Sequence, residues 1–435
     1  MINRETMKRG LNCLIILAFL LPVACVAPKK STTVKPTVVN LSKMYNPTNT
    51  KFHPAFSIYH NSPTTSLLLV KIFPVELLYS GTIEPNKILA QVNLTYVLTD
   101  LEDPEKPVVA DSGKIKYSFA RENADKRFIT QIVLNTRKGK FYQLMILAKD
   151  VVRNEENLTY EYVDRTSDYS EQNFLITESQ GNNVPVFSPH VIGNSLFKVD
   201  FPDSQFDKVY VNYYGGPLPL PRPSFAEGKN KELPAKPDSL WVLPFRKGLN
   251  YTLNYEGVYQ FKLDTSRREG LTVFNFGKTY PKIQEVRQMI EPLVYLTTTP
   301  EYDALKKSTN QKLAVDNFWI DKAGNVDKAR ELIKVYYNRV FFSNFFFTSY
   351  KPGWKTDRGM IFIVYGPPQQ VKVTPTQEKW IYFKNNFSTS VTFTFDFVPS
   401  SYSLENYILE RSDNYDSYWR LAVDSWRKGS IFLID

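Results

Sequence analysis

The stretch at residues 353–368 reads GWKTDRGMIFIVYGPP and separates a helical pattern from a strand pattern. A Pro-Gly pair ends the preceding helix, and Trp354 is predicted to fix the connecting loop by burying its large ring. The apolar run at residues 360–365 is predicted to form a strand. This strand is predicted to end sharply at Gly366, Pro367 and Pro368. The stretch therefore predicts a helix-to-strand connection in a domain that mixes α and β structure.

The polar residues of this stretch have a structural and a catalytic interpretation. Thr356 and Asp357 can accept backbone N–H groups in a turn, and Arg358 can pair with Asp357 or with another carboxylate. Gly359 lets the chain enter the strand without a side-chain clash. In the catalytic interpretation Asp357 is a general acid or base and Arg358 holds an anion, but the sequence fixes no second carboxylate or histidine near them. We therefore predict a structural role and no catalytic residue.

Helices are predicted on both sides of the stretch. Residues 283–296 form one helix that Pro292 bends or splits, and a second begins near Pro300 and runs toward Trp319. Asn325 is predicted to cap a third helix. The apolar stripe of this third helix comprises Ala329, Leu332, Ile333, Tyr336 and Val340. Strands are expected at residues 379–383 and 391–397, and a last helix at about 414–428.

The stretch resembles the signature of the GWxTD domain, a family of mostly uncharacterised lipoproteins and secreted proteins found chiefly in Bacteroidetes and related bacteria. The residues that match the family motif are Gly353, Trp354, Thr356, Asp357, Arg358, Gly359, Gly366, Pro367 and Pro368. Similar residues also occur at 337–340 and 378–382, so the resemblance covers about residues 281–435. It implies an envelope protein, since some members are suspected in gliding, secretion or outer-membrane assembly. It brings no established catalytic residues.

The residues before the helical region alternate between apolar and polar positions. This period of two occurs at residues 90–98 and 115–119, and again at 209–213 and 259–263. We predict a multidomain protein with a mainly β N-terminal part, built of antiparallel β-sandwich modules, followed by an α+β C-terminal GWxTD domain. The predicted segments are a lipoprotein signal peptide at 1–25, a flexible tether at 26–50, a β-sandwich domain at 51–172, a second β-rich domain at 173–280 and the GWxTD domain at 281–435.

Cys25 ends a segment that has the order of a bacterial lipoprotein signal: a basic start, an apolar run at residues 11–21 and small residues before the cysteine. The run is shorter than the roughly 20 apolar residues that a spanning helix needs. We predict that Cys25 is acylated and anchors the protein in the outer membrane. The basic residues that follow, without an acidic run, favour the periplasmic face. An ordinary signal peptide or a retained anchor is the alternative, because Pro22 occupies a position where such signals usually have Leu.

The amino-acid composition is that of a folded protein with few cysteines and histidines. Of 435 residues, 43% are hydrophobic and 14% aromatic, which excludes a disordered chain. The formal net charge is +10, and because the predicted signal holds three basic residues and one acidic residue, about +8 remains in the mature chain. No cysteine follows Cys25, and all three histidines lie in the N-terminal half, so neither a metal site nor a cofactor is predicted. No nucleic-acid motif is present, so nucleic acid is not a predicted partner.

The leading functional hypothesis is a non-enzymatic scaffold that binds outer-membrane or periplasmic proteins. The proline-dense segment at residues 215–223 and the aromatic run at 341–347 are the candidate contact surfaces. The candidate residues are Pro217, Pro219, Pro221, Phe342 and Phe346. The alternative is a glycan- or peptidoglycan-binding lipoprotein, with Trp354, Trp380, Trp419 and Trp426 stacking on sugars. A hydrolase that uses carboxylates such as Asp357, Asp396 or Asp413 is a third hypothesis.

Overall fold

The computed structural model describes residues 40–43, 45, 51–84, 87–103, 106–180, 183–202, 205–383 and 390–432. The predicted signal peptide with Cys25 and most of the predicted tether lie outside these residues. Within them, the N-terminal part consists mostly of antiparallel sheets, and the part from Val286 onward combines α-helices with a further sheet. The predicted fold class is thereby confirmed. None of the helices among the described residues is long and apolar enough to cross a membrane.

Two antiparallel sheets enclose the first core. Their strands are β1 (Ala55–Tyr59), β2 (Thr65–Ile72), β3 (Ser80–Glu84), β4 (Lys87–Asp100), β5 (Val108–Ala120), β6 (Phe128–Asn135), β7 (Phe141–Asp150) and β8 (Glu155–Asp164). One sheet has the order β1-β2-β6, and the other has the order β3-β4-β7-β8 with β5 also paired to β4. Every second residue of β4 and β7 is buried, including Leu94 and Leu144, and both sheets contribute to this core. The period of two in the sequence thus reflects one buried face on each sheet.

Two smaller sheets follow and share a second core. Their strands are β9 (Leu175–Glu178), β10 (Phe197–Asp200), β11 (Lys208–Tyr214), β12 (Ser239–Pro244), β13 (Asn250–Tyr251), β14 (Gly257–Lys262) and β15 (Leu271–Asn275). The sheet orders are β13-β10-β9 and β12-β11-β14-β15. Val209, Phe261 and Val273 are buried between them. The proline-dense segment lies in the connection from β11 to β12 and is not a strand, as its lack of N–H donors requires.

The C-terminal part packs six helices against a four-stranded sheet. The helices are α1 (Val286–Ile290), α2 (Thr299–Lys307), α3 (Gln311–Ala323), α4 (Val326–Phe347), α5 (Asp357–Tyr365) and α6 (Tyr415–Arg427). The strands are β16 (Gln370–Val373), β17 (Gln377–Phe383), β18 (Ser390–Phe397) and β19 (Tyr407–Leu409), in this order in the sheet. Asn325 caps α4, since its side-chain oxygen accepts the Lys328 amide at 2.9 Å. The helix predicted to run from Pro300 toward Trp319 is instead α2 and α3, because the backbone is extended at Ser308.

The predicted strand at residues 360–365 is wrong, because these residues belong to helix α5. Thr356 begins the helix by accepting the Gly359 amide at 3.0 Å, and Gly366 ends it with a φ of 86°. All nine residues of α5 are buried, since the helix packs against α4, α6 and β19. A helix enclosed on every side has no polar face, so its sequence looks the same as that of a buried strand.

The described residues of the predicted tether, 40–43 and Tyr45, are docked on the C-terminal part and are not a flexible linker. Leu41 donates its amide to the Val371 carbonyl at 3.2 Å, and the Val371 amide donates to the Asn40 side chain at 3.0 Å. The Tyr45 ring lies 5.6 Å from the ring of Phe346 and 5.4 Å from that of Trp380, measured between centroids. The segment was predicted as tether because it is polar and aperiodic, whereas an isolated bridge from Asn40 to Lys372 needs only backbone groups.

Candidate functional site

The motif forms a tight corner between α4 and α5. A short 3-10 helix at Gly353–Lys355 connects the two helices. A Cβ atom on Gly353 would overlap the carbonyl oxygen of Ser343 in α4, and one on Gly359 would overlap the carbonyl oxygen of Gly353. Both glycines are therefore needed because backbone approaches backbone, and not because of an unusual φ angle. The corner is a helix-to-helix connection, which corrects the predicted helix-to-strand connection.

Trp354 and Thr356 hold this corner in place. Trp354 is 6% exposed, its amide donates to the Asn344 side chain at 3.1 Å, and its carbonyl accepts the Tyr295 hydroxyl at 2.7 Å. The Thr356 hydroxyl donates to the Gly353 carbonyl at 2.7 Å in addition to capping α5. These two residues are occupied by internal contacts, so they act as the structural interpretation predicts.

Asp357 is buried in an ion pair with a residue far along the chain. Its Oδ1 atom lies 2.6 Å from Nη2 of Arg411, and the two side chains are 0% and 5% exposed. Its Oδ2 atom accepts the Leu409 amide and the Asn230 side-chain amide, each at 2.9 Å. As the first residue of α5, the carboxylate also complements the positive end of the helix dipole. Asp357 is therefore saturated with donors, an arrangement that favours a positioned charge over a proton-transferring group.

Arg358 is surrounded by carboxylates and aromatic rings. Its guanidinium lies 3.0 Å from Glu378 and 3.4 Å from Glu405, and its Cζ atom lies 3.8 Å from the ring centroid of Tyr407. Burial is the largest single influence and lowers the pKa of Arg358, but the ionisable groups around it, Glu378 first among them, together raise the pKa above its usual value. Arg358 pairs with residues of β17 and the β18–β19 connection and not with Asp357, so the motif ties α5 to the sheet.

A second buried arginine stabilises the other end of α5. Arg339 on α4 donates to the carbonyl oxygens of Ile363 and Val364, each at 3.2 Å, and to that of Phe432. Its guanidinium also fills the space beside Gly366, where a Cβ atom would lie 2.7 Å from Nη2. Burial lowers the pKa of Arg339 to about 10, so the side chain stays cationic at neutral pH. A cation at the C-terminal end of a helix satisfies carbonyls that have no intrahelical partner.

A cavity of about 800 Å³ opens at the motif corner. Thr356, Asp357 and Arg358 line one side, the loop at residues 227–232 lines another, and residues 398–411 contribute much of the rest. Lys351, which is 4% exposed, also lines the cavity, as does Asp396. Asp413, the third carboxylate of the hydrolase hypothesis, is not among the lining residues. No group of three histidine, cysteine or acidic side chains in the described part of the chain is arranged to hold a metal ion.

The aromatic run of α4 divides into a buried and an open side. Phe347 is 1% exposed and packs into the core, whereas Phe345 is 53% exposed. Phe341, Phe342 and Phe346 are half-buried beside Phe345, with ring centroids 4.8 Å apart for Phe341 and Phe342 and 5.8 Å apart for Phe342 and Phe346. We call the residues Phe341, Phe342, Phe345 and Phe346 the aromatic face. An aromatic group of this size at a protein surface is typical of a contact site.

The proline-dense segment is only partly open. Pro217 is exposed, Pro219 is half-buried and Pro221 is buried. Pro221 lines a second cavity of about 390 Å³ together with Trp419 and Arg427 of α6, so this part of the segment packs against the C-terminal domain. Of the tryptophans in the glycan hypothesis, Trp354, Trp380 and Trp426 are buried and only Trp419 is half-buried. Buried rings cannot stack on a sugar, and this weighs against the hypothesis.

Sequence reasoning missed the partners of the motif. Arg411, Asn230 and Lys351 meet Asp357 or its cavity from three separate places in the chain. Their charge and polarity resemble those of ordinary surface residues. The only local signal was the turn sequence around Lys351, which places a lysine directly between a buried aromatic helix and the motif.

Comparisons with known proteins identify one region of the chain. The family model described as the GWxTD domain matches residues 257–428, which extend from β14 to the end of α6. No curated protein matches the chain. A crystal structure of red sea bream transglutaminase is similar over 53% of this chain and 32% of that chain, at 12% identity and a TM-score of 0.19. The chain thus spans about a third of that protein, and a likeness at this level carries no argument about activity.

Proposed function

Because the chain is a GWxTD domain-containing protein, we propose that it is a non-enzymatic envelope lipoprotein that binds a partner protein through the aromatic face. In this proposal Cys25 carries the lipid anchor in the outer membrane, and the folded part lies on the periplasmic side. The partner is a subunit of an envelope complex, such as one for secretion, gliding or outer-membrane assembly.

The observation that carries the proposal is the open side of α4. Phe345 is 53% exposed and lies among three further phenylalanines, although the opposite side of the same helix packs a buried core. Exposed aromatic rings lose contact with water when a partner covers them, and such residues dominate the binding energy of protein interfaces. The saturated Asp357 and Arg358 support the non-enzymatic part of the proposal, because their hydrogen-bonding capacity is used inside the fold.

The anchor and the aromatic face are compatible with one membrane-proximal complex. Tyr45 packs against Phe346, so the docked N-terminal segment lies beside the aromatic face. In this proposal the lipid on Cys25 keeps the protein at the membrane and the aromatic face binds the partner there.

The test is an affinity purification of the full chain from native membranes in mild detergent. We compare the wild type with Phe345→Ser, with Cys25→Ala and with Leu421→Ser, a control that removes an apolar residue 61% exposed on α6. We expect one stoichiometric set of envelope proteins with the wild type and with Leu421→Ser, and its loss in Phe345→Ser. The set should also be lost in Cys25→Ala. A wild-type protein that is purified alone, or a set that is unchanged in Phe345→Ser, would contradict the proposal.

A further inference from the structure

The cavity at the motif corner contains a buried lysine, Lys351, that forms no ion pair with another described residue. Lys351 is 4% exposed and lines the cavity. Its ammonium group lies 5.8 Å from the ring centroid of Tyr350, and it forms no hydrogen bond or salt bridge with another described residue. Burial lowers the pKa of Lys351 to about 8, so the group remains largely protonated at neutral pH. A buried cation of this kind is unfavourable unless an anion reaches it.

The other buried cations of the cavity already have carboxylate partners. Arg411 is paired with Asp357, and Arg358 is paired with Glu378. Each carboxylate accepts further hydrogen bonds: Asp357 from the Leu409 amide, and Glu378 from the Trp380 ring nitrogen. Asp357 favours the charged form of Lys351 through its nearby charge, but it forms its ion pair with Arg411 and no hydrogen bond to the Lys351 ammonium group. The ammonium group therefore lines the cavity with donors that no described carboxylate accepts, and an anion in the cavity can accept them.

The surroundings of Lys351 favour a ligand with a single negative charge. Acidic and basic side chains line the cavity in equal number, so a group with several charges would meet as much repulsion as attraction. A phosphate group is usually held by several donors or by an arginine fork, and both arginines here are occupied. One ammonium group with three donors matches one carboxylate. The volume of about 800 Å³ lies in the range of small-molecule sites.

We propose that this cavity is a binding site for a ligand of short-peptide size, held by a carboxylate that pairs with Lys351. The loop at residues 227–232 and residues 398–411 form the walls, and Tyr350 and Tyr402 provide ring surface beside the lysine. The site is separate from the aromatic face and does not depend on the proposed scaffold role.

The test is calorimetric titration of the full chain in detergent with three probes: N-acetyl-dialanine, its C-terminal amide and inorganic phosphate. We expect the free carboxylate to bind and the amide to bind at least about tenfold more weakly, because the amide lacks the charge that Lys351 needs. This comparison requires no variant. The bound carboxylate should also raise the melting temperature of the protein in proportion to its occupancy.

Three variants assign the binding to the lysine. Lys351→Met keeps the length of the side chain and removes a cation that forms no ion pair with another described residue, so the variant should fold. Its affinity for N-acetyl-dialanine should fall about tenfold or more. Lys351→Arg keeps the charge and should retain binding. Lys231→Met removes an exposed lysine from the cavity wall and should leave the affinity unchanged.

Four results would overturn the proposal. These are no binding of the carboxylate probe, equal binding of the acid and its amide, unchanged affinity in Lys351→Met, and an equal loss in Lys231→Met. Tighter binding of phosphate than of N-acetyl-dialanine would overturn the assignment of a carboxylate.

Discussion

The carboxylate of Asp357 and the guanidinium of Arg411 form a buried ion pair, with 2.6 Å between Oδ1 and Nη2. The same guanidinium donates to the Asn230 side chain at 2.8 Å and to the Arg222 carbonyl at 3.1 Å. Asp357 belongs to the motif at residues 353–359, whereas its partners come from the segment after β19 and from the β11–β12 connection. The pair therefore joins the motif corner to the β-rich region before it.

We predict that Arg411→Met destabilises the protein by about 3–5 kcal/mol, because it leaves a buried carboxylate without its cation. Asp357→Asn should cost less, since the amide keeps an oxygen for the Leu409 N–H group. The measurement is urea unfolding followed by tryptophan fluorescence. Arg420→Met is the control, because the Arg420–Asp416 pair is exposed and should contribute less than about 1 kcal/mol. Equal losses of unfolding free energy in Arg411→Met and Arg420→Met would contradict the prediction that the buried ion pair stabilises the fold more than the exposed one.

Gly359→Ala adds one methyl group and should strongly destabilise the protein. The added Cβ would overlap the Gly353 carbonyl oxygen, so α5 would have to move away from the corner. We expect a loss of about 3 kcal/mol or more, because backbone cannot yield as a flexible side chain can. Gly216→Ala is the matched control: the nearest atom to its Cβ would be 3.8 Å away and Gly216 is exposed. Thermal unfolding of the two variants measures the difference, and a Gly359→Ala protein as stable as the control would contradict the close backbone contact.

The pH dependence of stability should contain a contribution from Glu171. Burial raises the pKa of this carboxyl from 4.5 to about 7, although the Leu404 amide donates to it. Between these two values the folded state holds a proton that the unfolded state has released, so stability falls as the pH rises from 4.5 to 7. Glu171→Gln removes the titrating carboxyl group and keeps a side-chain oxygen that can accept the Leu404 amide. We expect the variant to gain up to about 3 kcal/mol over the wild type well above pH 7 and nothing below about pH 4.5.

The measurement is the free energy of unfolding of both proteins in urea as a function of pH. The difference between the two free energies isolates the contribution of Glu171 from that of groups whose titration makes the protein more stable as the pH rises. Burial lowers the pKa of His60 to about 3, so His60 makes the protein more stable as the pH rises from 3 to 6.5, and it does so in both proteins. A difference that is constant over the whole range would argue against a shifted Glu171.

The sequence is sufficient to predict structure where one side of an element is open to water. The strands β4 and β7 alternate between buried and more exposed residues, and α4, capped by Asn325, carries a buried stripe. Each of these elements has one side facing the core and one side facing water. The sequence is insufficient for α5, which is enclosed on all sides and has no periodic signal. The motif residues were identified from the sequence as structural, but Arg411 and Lys351 were not identified. Tertiary folding, which no local pattern encodes, brings these two residues to the corner.

The docked N-terminal segment predicts a specific contribution from Tyr45. Its ring centroid lies 5.1 Å from that of Phe347 and 5.4 Å from that of Trp380, and the residue is only 9% exposed. We expect Tyr45→Ala to cost about 3 kcal/mol, because it opens a cavity between α4 and β17. Tyr45→Phe keeps the ring and loses only a hydroxyl next to Glu378, which retains Arg358 and Trp380 as donors, so it should cost about 1 kcal/mol or less.

Urea unfolding of the two Tyr45 variants tests whether residues 40–45 belong to the folded core. If the segment were a free linker, both substitutions would leave the free energy of unfolding unchanged. Hydrogen exchange of the Leu41 and Val371 amides gives a second measurement, since both are donors in the contact between the segment and β16. Protection of both amides in the wild type and its loss in Tyr45→Ala is the expected result, because the ring holds the segment against the sheet edge. Loss of protection at Leu41 alone would mean that Tyr45 orders the segment without supporting β16.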